Sequence, residues 1–168
     1  IVRSAILARE AYKGCNLEEI HELMLRRLEE LLLTGEESLV SQLDPDLPTI
    51  LAAHGTVQGA IYGSERSVLP GNDLLLPPSL VHHTAFDYVA LGHIHKHQSV
   101  GEQPPAVYAG SLERIDFGEE KEAKGFVVVE LERGRAAWRF VSLPARPFVT
   151  IRVEAMLPDP TAQVLAAI

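Results

Sequence analysis

A short apolar run that ends in histidines constrains the fold of this chain more than any other segment. Residues 88–91, Tyr-Val-Ala-Leu, read as a core strand, and Gly92 leads from it into His93 and His95. An extended strand points residues i and i+2 to the same side, and glycine lets the backbone turn close to them. Since neutral imidazole is the commonest side-chain metal ligand at pH 7, the pattern suits one ion or two adjacent ions. A polar loop after a core strand is the alternative.

A second predicted core strand, residues 49–53, ends at His54 and Gly55. The chain therefore repeats one arrangement, in which a buried strand presents a histidine at its carboxyl end. Open α/β sheets generally bind ligands at this edge. We therefore take His54, His93 and His95 together as candidate metal ligands.

The remaining pattern predicts an α/β or layered arrangement that begins with a helix. Apolar residues at helical spacing follow Asn16, which has the form of a capping box with Glu19, and this helix is expected to end near Gly35. A short second helix is expected over residues 36–43. The strand that contains the apolar run 88–91 is predicted over 87–91, and further strands are predicted at 73–76, 106–109, 125–131, 136–141 and 148–153.

Three local features refine this organisation. Gly134 marks a hairpin turn between two of the predicted strands. Two prolines within residues 143–147 make this segment the best candidate for a domain boundary. Asp159 followed by Pro160 predicts a helix start, and because the chain opens at Ile1 and stops soon after this start, we expect an excerpt of a longer protein.

Composition limits the class of protein. A length of 168 residues with 46% hydrophobic content suffices for one core and part of a second domain. The net charge of −8 argues against broad attraction to polyanions, so metal ions or missing parts must offset it if nucleic acid is the substrate. The single cysteine, Cys15, suits a reducing cytosol, and no apolar run approaches the roughly 18 residues of a membrane span. We therefore expect a cytoplasmic protein.

Several other site classes do not match the sequence. A structural zinc site typically uses paired cysteines, which a single cysteine cannot provide. The Gly-x-Ser-x-Gly elbow of serine hydrolases is not formed at residues 63–64 or 110–111, and no Walker-type phosphate loop is present. What remains is a histidine-rich catalytic metal site that lacks its negatively charged ligands.

Other polar residues have weaker signals. Three carboxylates are candidate ligands whose spacing favours ordinary surface roles: Asp87, Glu113 and Asp116. Three further histidines are interpreted as surface or supporting residues: His82, His83 and His97. The Gly-Asn-Asp sequence at 71–73 is interpreted as a simple turn.

Four segments together carry a family resemblance. They are 53–60 (AHGTVQGA), 63–66 (GSER), 86–98 (FDYVALGHIHKHQ) and 108–119 (YAGSLERIDFGE). In order and spacing they resemble the SbcD-type nuclease subunits of bacterial SbcCD DNA-repair complexes, within the calcineurin-like metallophosphoesterase superfamily. The resemblance implies a partial sandwich of facing mixed sheets flanked by helices, which lacks its N-terminal half.

The resemblance implies a site for two divalent metal ions, usually Mn²⁺ with Mg²⁺ as the alternative. Of the family's ordered metal motifs, the single histidine before glycine matches His54, and Gly-His-x-His matches His93 and His95. This match assigns His54 and His93 to one ion and His95 to the other. The earlier motifs, which supply the bridging aspartate and the catalytic histidine, are absent. No catalytic residue is therefore assigned, and the chain alone is expected to bind metal weakly and to be inactive.

Ser111 and Arg114 follow the metal motif in a loop, where a hydroxyl and a guanidinium are suited to hold DNA phosphates. A surface turn is the alternative reading. The resemblance further implies that residues 1–146 belong to the nuclease domain and that residues 147–168 begin a capping, DNA-binding domain. Its implied partners are DNA, an SbcC-like coiled-coil ATPase that binds further downstream, and a second copy of the full-length protein; no membrane is implied.

Three functions are consistent with these residues. The first is part of a Mn-dependent DNA exonuclease and endonuclease that acts in double-strand break repair. The second is a calcineurin-like phosphoesterase that acts on a small phosphate ester. The third is a non-enzymatic interaction domain with structural histidines. The segment 111–119 and the start of the capping domain favour the nuclease.

Overall fold

The computed structural model describes residues 13–63, 75–154, 156 and 158–167. Its helices are α1 (Leu17–Leu32), α2 (Pro78–Val81) and α3 (Pro160–Ala167), with short 3-10 helices at Val40–Gln42 and Phe117–Glu119. Its strands are β1 (Ile50–His54), β2 (Thr56–Val57), β3 (Leu75–Leu76), β4 (Tyr88–Gly92), β5 (Gln98–Glu102), β6 (Pro105–Tyr108), β7 (Gly125–Glu132) and β8 (Arg135–Ser142). Within the described ranges, no helix is long and apolar enough to cross a membrane.

The central sheet has four strands in the order β1-β4-β6-β5. Strands β1, β4 and β6 run parallel, and β5 pairs antiparallel with β6. The register places His54 opposite Gly92, so β1 and β4 end at the same edge of the sheet. Val89, Ala106 and Tyr108 are fully buried and form part of the core. The predicted α/β class is confirmed, with mixed and parallel sheets and few helices.

Helix α1 begins as its sequence predicts. The Asn16 side chain accepts a hydrogen bond from the Glu19 amide at 2.9 Å, and the Asn16 amide donates to the Glu19 carboxylate at 2.8 Å. This reciprocal pair is the predicted capping box. Leu28 and Leu32 on the inner face of the helix are buried in the core, which confirms that the apolar stripe serves packing.

The short second helix predicted over residues 36–43 is reduced to a 3-10 turn at Val40–Gln42. The Ser41 hydroxyl lies 2.7 Å from the carbonyl oxygens of both Glu36 and Ser38. Serine side chains that bond to nearby carbonyls offer the backbone an alternative to helical hydrogen bonds. The segment therefore closes into a compact turn before β1.

One predicted strand does not form, and one observed strand was not predicted. Residues 148–153 form no strand, because no described segment pairs with them and Val149 and Ile151 remain 65% and 51% exposed. Strand β5 was not predicted, since Gln-Ser-Val-Gly-Glu shows no apolar alternation and its extended form depends on pairing with β6. The strand predicted at 73–76 is short, with only Leu75–Leu76 paired to β2, and the turn at 71–73 lies outside the described residues.

Two signals near the chain's end are confirmed. Strands β7 and β8 form an antiparallel hairpin, and Gly134 adopts a positive φ of 78° in its turn. The Asp159 side chain accepts a hydrogen bond from the Ala162 amide at 3.0 Å, as expected for a residue that caps the start of α3. The hairpin packs against the loop that follows β4, because the His97 ring stacks on Phe140 with centroids 4.0 Å apart.

Candidate metal centre

Two histidines meet where β1 and β4 end. His54 is the last residue of β1, and the Gly55 amide donates to the carbonyl of Gly92 at 3.2 Å. The His54 and His93 rings lie edge to face with centroids 5.3 Å apart. A Cβ atom at Gly92 would approach His54 Nδ1 to 3.1 Å, so glycine leaves room for the ring. The parallel register thus brings together two imidazoles that lie far apart in sequence.

The backbone of His93 is strained. Its φ is 110°, and His93 is the one non-glycine residue with positive φ within the described ranges. Such conformations are disfavoured by about 1–3 kcal/mol and cluster at functional sites. Because β4 ends at Gly92, His93 and His95 follow the strand and do not share its face. Ile94, which lies between them in sequence, is buried in the core, whereas both histidines are only partly buried.

His95 contacts a buried carboxylate that the sequence analysis did not identify as a site residue. Its Nδ1 atom lies 2.8 Å from Oε1 of Glu119, whose side chain is fully buried. The other carboxylate oxygen accepts from Lys124 Nζ at 2.9 Å and from the Ile115 amide at 3.1 Å. Burial raises the pKa of Glu119, but the hydrogen bonds from Lys124, His95 and Ile115 and the Lys124 charge lower it below its ordinary value. Glu119 is therefore an ionised acceptor.

Lys124 is itself buried and has three acceptors. Besides Glu119, its Nζ atom contacts the Glu122 carboxylate at 2.8 Å and the His95 carbonyl at 3.2 Å. An ammonium group has three N–H donors, so these acceptors match its capacity. Buried charges persist in proteins when they are paired in this way. Lys124 thus contacts both the backbone of His95 and the carboxylate that holds its ring.

A buried tyrosine fixes the backbone that follows His54. The Tyr108 hydroxyl donates to the Gly55 carbonyl at 2.7 Å and accepts from the Val57 amide at 2.9 Å. Its burial raises the pKa of Tyr108 above the ordinary value despite the Val57 hydrogen bond, so the hydroxyl keeps its proton. The backbone next to His54 is thus held by a neutral hydroxyl, whereas His95 contacts the charged side chains of Glu119 and Lys124.

Ser111 and Arg114 lie on the loop beside His95. The Ser111 amide donates to the His95 carbonyl at 3.0 Å, and the Ser111 hydroxyl donates to the Glu113 carbonyl at 2.9 Å. The Arg114 guanidinium donates to four backbone carbonyls, those of Glu119, Glu122, Ala145 and Arg146, at 2.7–3.3 Å. Arg114 thus ties this loop to residues 145–146, and a contact of either side chain with DNA stays a prediction.

The carboxylates with weaker signals accept hydrogen bonds from backbone amides or from an arginine. The Glu113 carboxylate accepts from the Arg146 amide, and the Asp116 carboxylate accepts from the Gly118 amide. The surface role expected for Asp87 is wrong, because its side chain is buried at the opposite end of β4 and accepts from Arg133.

The remaining histidines make local contacts. His83 Nδ1 lies 3.2 Å from the Ala85 amide, and His97 Nδ1 lies 2.8 Å from the Tyr108 carbonyl. The His82 ring lies near Gly101, where a Cβ atom would meet its Cε1 at 3.0 Å. These contacts suit the supporting or surface roles expected from the sequence.

The donor set fits part of a divalent metal site. Neutral imidazole is a common ligand of divalent metal ions, and the His54–His93 pair offers two imidazoles side by side. Mn²⁺ in addition favours carboxylate oxygens. Over the described part of the chain, no group of three or more His, Cys, Asp or Glu residues is arranged to hold an ion. Carboxylates from elsewhere would have to complete the coordination and balance the charge of a hard cation.

Glu119, Lys124 and Tyr108 are the functional candidates that sequence reasoning missed. Glu119 follows His95 by 24 positions, and the separation of Tyr108 from Val57 is 51. Such distances carry no periodic signal that links the residues. Their one sequence clue is membership of the segments that carry the family resemblance, which contain Tyr108 and Glu119 but not Lys124.

Comparison with known proteins identifies similar sequences. The SbcD subunit of the nuclease SbcCD from Rhodobacter capsulatus is 36% identical over 124 residues, which are 73% of this chain and 30% of the relative. The corresponding SbcD subunit from Staphylococcus saprophyticus is 33% identical over 112 residues, which are 66% of this chain and 28% of the relative. The chain thus spans less than a third of the length of these relatives. No protein-family model matches it. The two alignments confirm the resemblance to SbcD-type subunits.

Proposed function

We propose that this chain, which is SbcD-like over 73% of its length, is the C-terminal part of the catalytic domain of a Mn-dependent DNA nuclease. The full-length protein would hydrolyse phosphodiester bonds as an exonuclease and endonuclease in double-strand break repair. Residues 1–146 would belong to its nuclease domain, and residues 147–168 would begin its capping domain.

One observation carries this proposal. His54 and His93 end adjacent parallel strands with ring centroids 5.3 Å apart, and His93 has a strained backbone. Strain of this kind is tolerated where the surrounding structure demands a particular side-chain position. A purely structural histidine pair gains nothing from a disfavoured φ, so the geometry favours a ligand role over the interaction domain.

The histidines would divide between two ions. His54 and His93 would bind one ion, and His95 would bind the other. When bound, two divalent ions supply the charge that stabilises both the attacking and the leaving oxygen of a phosphodiester. This chain would hold the imidazoles in place at the sheet edge, through the β1–β4 register and the hydrogen bond of the Tyr108 hydroxyl to Gly55.

A nuclease assay on the full-length protein tests the assignment. His54→Ala and His93→Ala are each expected to lower Mn²⁺-dependent cleavage of duplex DNA by more than about 100-fold, since even residues outside the ligand set typically change activity 10–100-fold. His83→Ala is the matched control, because the described hydrogen bond of the His83 side chain is a local one, to the Ala85 amide. Retained cleavage in both ligand variants would overturn the site assignment.

The choice of substrate separates the nuclease from the second candidate. A nuclease is expected to cleave duplex DNA in preference to a small phosphodiester such as bis-p-nitrophenyl phosphate. The reverse preference in the wild-type protein would favour a phosphoesterase that acts on small esters. Loss of both activities in His93→Ala would still support the same metal site.

The isolated chain is expected to be inactive. Two hard cations require carboxylate ligands, and among the described residues no group of three or more possible ligands is arranged to hold an ion. A calorimetric Mn²⁺ titration should therefore show weak binding. Tight binding of two ions to the isolated chain would contradict this expectation.

The partners form part of the same proposal. We expect DNA as substrate, an SbcC-like coiled-coil ATPase that binds outside this sequence, and a homodimer of the full-length protein. A cytoplasmic location is expected, and no membrane contact is proposed. Ser111 and Arg114 are the residues proposed to lie nearest the DNA backbone, on the loop that leaves His95.

A further inference from the structure

We propose that Glu119 and Lys124 are positioning residues for His95: the Glu119 carboxylate fixes the proton of the ring on Nδ1 and thereby leaves the Nε2 lone pair as the metal donor. This inference rests on the proposed metal site. It concerns residues that lie outside the histidine motifs, and it assigns to each a separate part in holding the ring.

The first step is the hydrogen bond between His95 Nδ1 and Glu119 Oε1, which measures 2.8 Å. An ionised carboxylate can only accept hydrogen bonds, so the shared proton belongs to Nδ1. A neutral imidazole carries one N–H, which leaves Nε2 with its lone pair. Metal-binding histidines commonly donate their other ring N–H to a carboxylate in this way, which fixes both tautomer and ring orientation.

The second step is the direction of the Glu119 side chain. Its Oε2 atom accepts from Lys124 Nζ at 2.9 Å and from the Ile115 amide at 3.1 Å. Both donors demand an acceptor at Oε2, so the carboxylate cannot turn without losing them. Oε1 is therefore aimed at His95 by groups that do not themselves touch the ring.

The third step concerns the main chain. Lys124 Nζ and the Ser111 amide both donate to the His95 carbonyl, at 3.2 and 3.0 Å. Gly110 allows this close packing, since a Cβ atom there would lie 2.8 Å from the same carbonyl oxygen. The loop thus fixes the backbone of His95 while Glu119 fixes its ring.

The tautomer itself provides a direct test. In Glu119→Gln, Lys124 and the Ile115 amide would retain the side-chain oxygen at the Oε2 position. The amide NH₂ would then face His95 Nδ1 and donate to it. The ring proton is expected to move to Nε2, which blocks the donor atom, and Mn²⁺ affinity is expected to fall about 10–100-fold.

The experiment uses the full-length protein, freed of metal and labelled with ¹⁵N-histidine. Two-bond ¹H–¹⁵N correlation spectra distinguish the Nδ1–H from the Nε2–H tautomer, and His95→Gln assigns the signal by its loss. Wild type is expected to show Nδ1–H at His95. Calorimetry with MnCl₂ then measures the affinity of each variant.

Two further variants keep the test sharp. Glu119→Gln leaves the buried Lys124 with one carboxylate fewer, which can destabilise the fold. The double variant Glu119→Gln/Lys124→Met removes both charges and so avoids this loss. In it, the Ile115 amide still orients the side chain at position 119. Glu122→Gln is the matched control, because Glu122 contacts Lys124 and not the His95 ring. The control is expected to keep both the Nδ1–H tautomer and wild-type affinity.

The outcomes separate this inference from the proposed function. An Nε2–H tautomer in wild type, or an unchanged tautomer in both Glu119 variants, would overturn the positioning role. Wild-type protein that binds no Mn²⁺ would overturn the proposed metal site, and the metal part of this inference with it. A tautomer switch with loss of affinity in the Glu119 variants alone would support both.

Discussion

Strand β4 has a buried carboxylate near each end, and the two make an instructive pair. Asp87 directly precedes the strand, whereas Glu119 packs against His95 beyond it. Each carboxylate is paired with a cation, Arg133 in one case and Lys124 in the other, at 2.8 and 2.9 Å. By burial and pairing alone, the two sites look alike.

The pKa values do not separate them either. Burial raises the pKa of Asp87, but hydrogen bonds from the Thr49 and Gly134 amides and from Arg133, together with the Arg133 charge, bring it below its ordinary value. Glu119 shows the same balance, with Lys124 and His95 as its main donors. A perturbed carboxylate therefore does not by itself mark a functional site, since structural pairs shift pKa values too.

The difference lies in what the donors do next. The described donors to Asp87 belong to the loop before β1 and to the turn between β7 and β8, so the contact ties structural segments together. One donor to Glu119 is an imidazole, which has a second nitrogen on the far side of the ring. A hydrogen bond to one ring nitrogen controls the chemistry of the other. Glu119 can therefore influence the far nitrogen of the His95 ring, whereas Asp87 has no such group among its described donors.

The largest effect is expected from Glu119→Ala. This change leaves Lys124 fully buried with only one carboxylate and leaves the Ile115 amide without its acceptor. Removal of one partner from a buried ion pair typically destabilises a protein by about 3–5 kcal/mol. Urea unfolding of the full-length protein should register this loss, accompanied by weaker Mn²⁺ binding. A smaller loss of stability than in Asp87→Ala would contradict the expected difference between the two carboxylates.

Asp87→Ala should destabilise the fold by less, about 2–3 kcal/mol. The amides of Thr49 and Gly134 lose their acceptor, whereas Arg133 is 38% exposed and can turn to water. Mn²⁺ affinity and nuclease activity per folded molecule should stay at wild-type values. A parallel fall in affinity, measured by the same calorimetric titration, would show that both ends of β4 serve the site.

Acid should destabilise both ends in the same direction. A carboxylate with a lowered folded pKa contributes stability that is complete above its ordinary pKa, 3.8 for Asp87 and 4.5 for Glu119. This contribution is lost as pH falls through the lowered folded value. Below about pH 4, the urea concentration at the unfolding midpoint is therefore expected to decrease, and the decrease should be smaller in Asp87→Asn. An equal decrease of the urea midpoint in wild type and variant would show that Asp87 does not contribute to the acid sensitivity.

The smallest effect is expected from Arg133→Lys, at about 0.5 kcal/mol. The charge beside Asp87 is kept, but the hydrogen bond from Arg133 Nε to the Pro45 carbonyl is lost. Partly exposed pairs of this kind contribute about 0.2–1 kcal/mol. The thermal midpoint measures the change. A loss of stability as large as that of Asp87→Ala would mean that Arg133 contributes more to the stability of the Asp87 site than the Thr49 and Gly134 amides do.

Much of the fold was predictable because its signals are local. The capping box at Asn16, the hairpin turn at Gly134 and the cap at Asp159 each depend on residues a few positions apart. Strand β5 and the segment 148–153 were not predicted correctly, because an edge strand exists only where a partner strand is available. The histidines at the ends of β1 and β4 follow from the pattern, whereas the parallel pairing of these strands and its register do not.

The sequence by itself determined that histidines stand at the ends of two apolar strands, and that the chain resembles SbcD-type subunits. The tertiary structure alone decided that His54 faces His93 while His95 faces Glu119. The physical reason is that a hydrogen bond requires two atoms to lie within about 3 Å of each other. Residues 24 positions apart come this close only when the intervening chain has folded. Sequence pattern thus selects the imidazoles, and packing selects the nitrogen that each one presents.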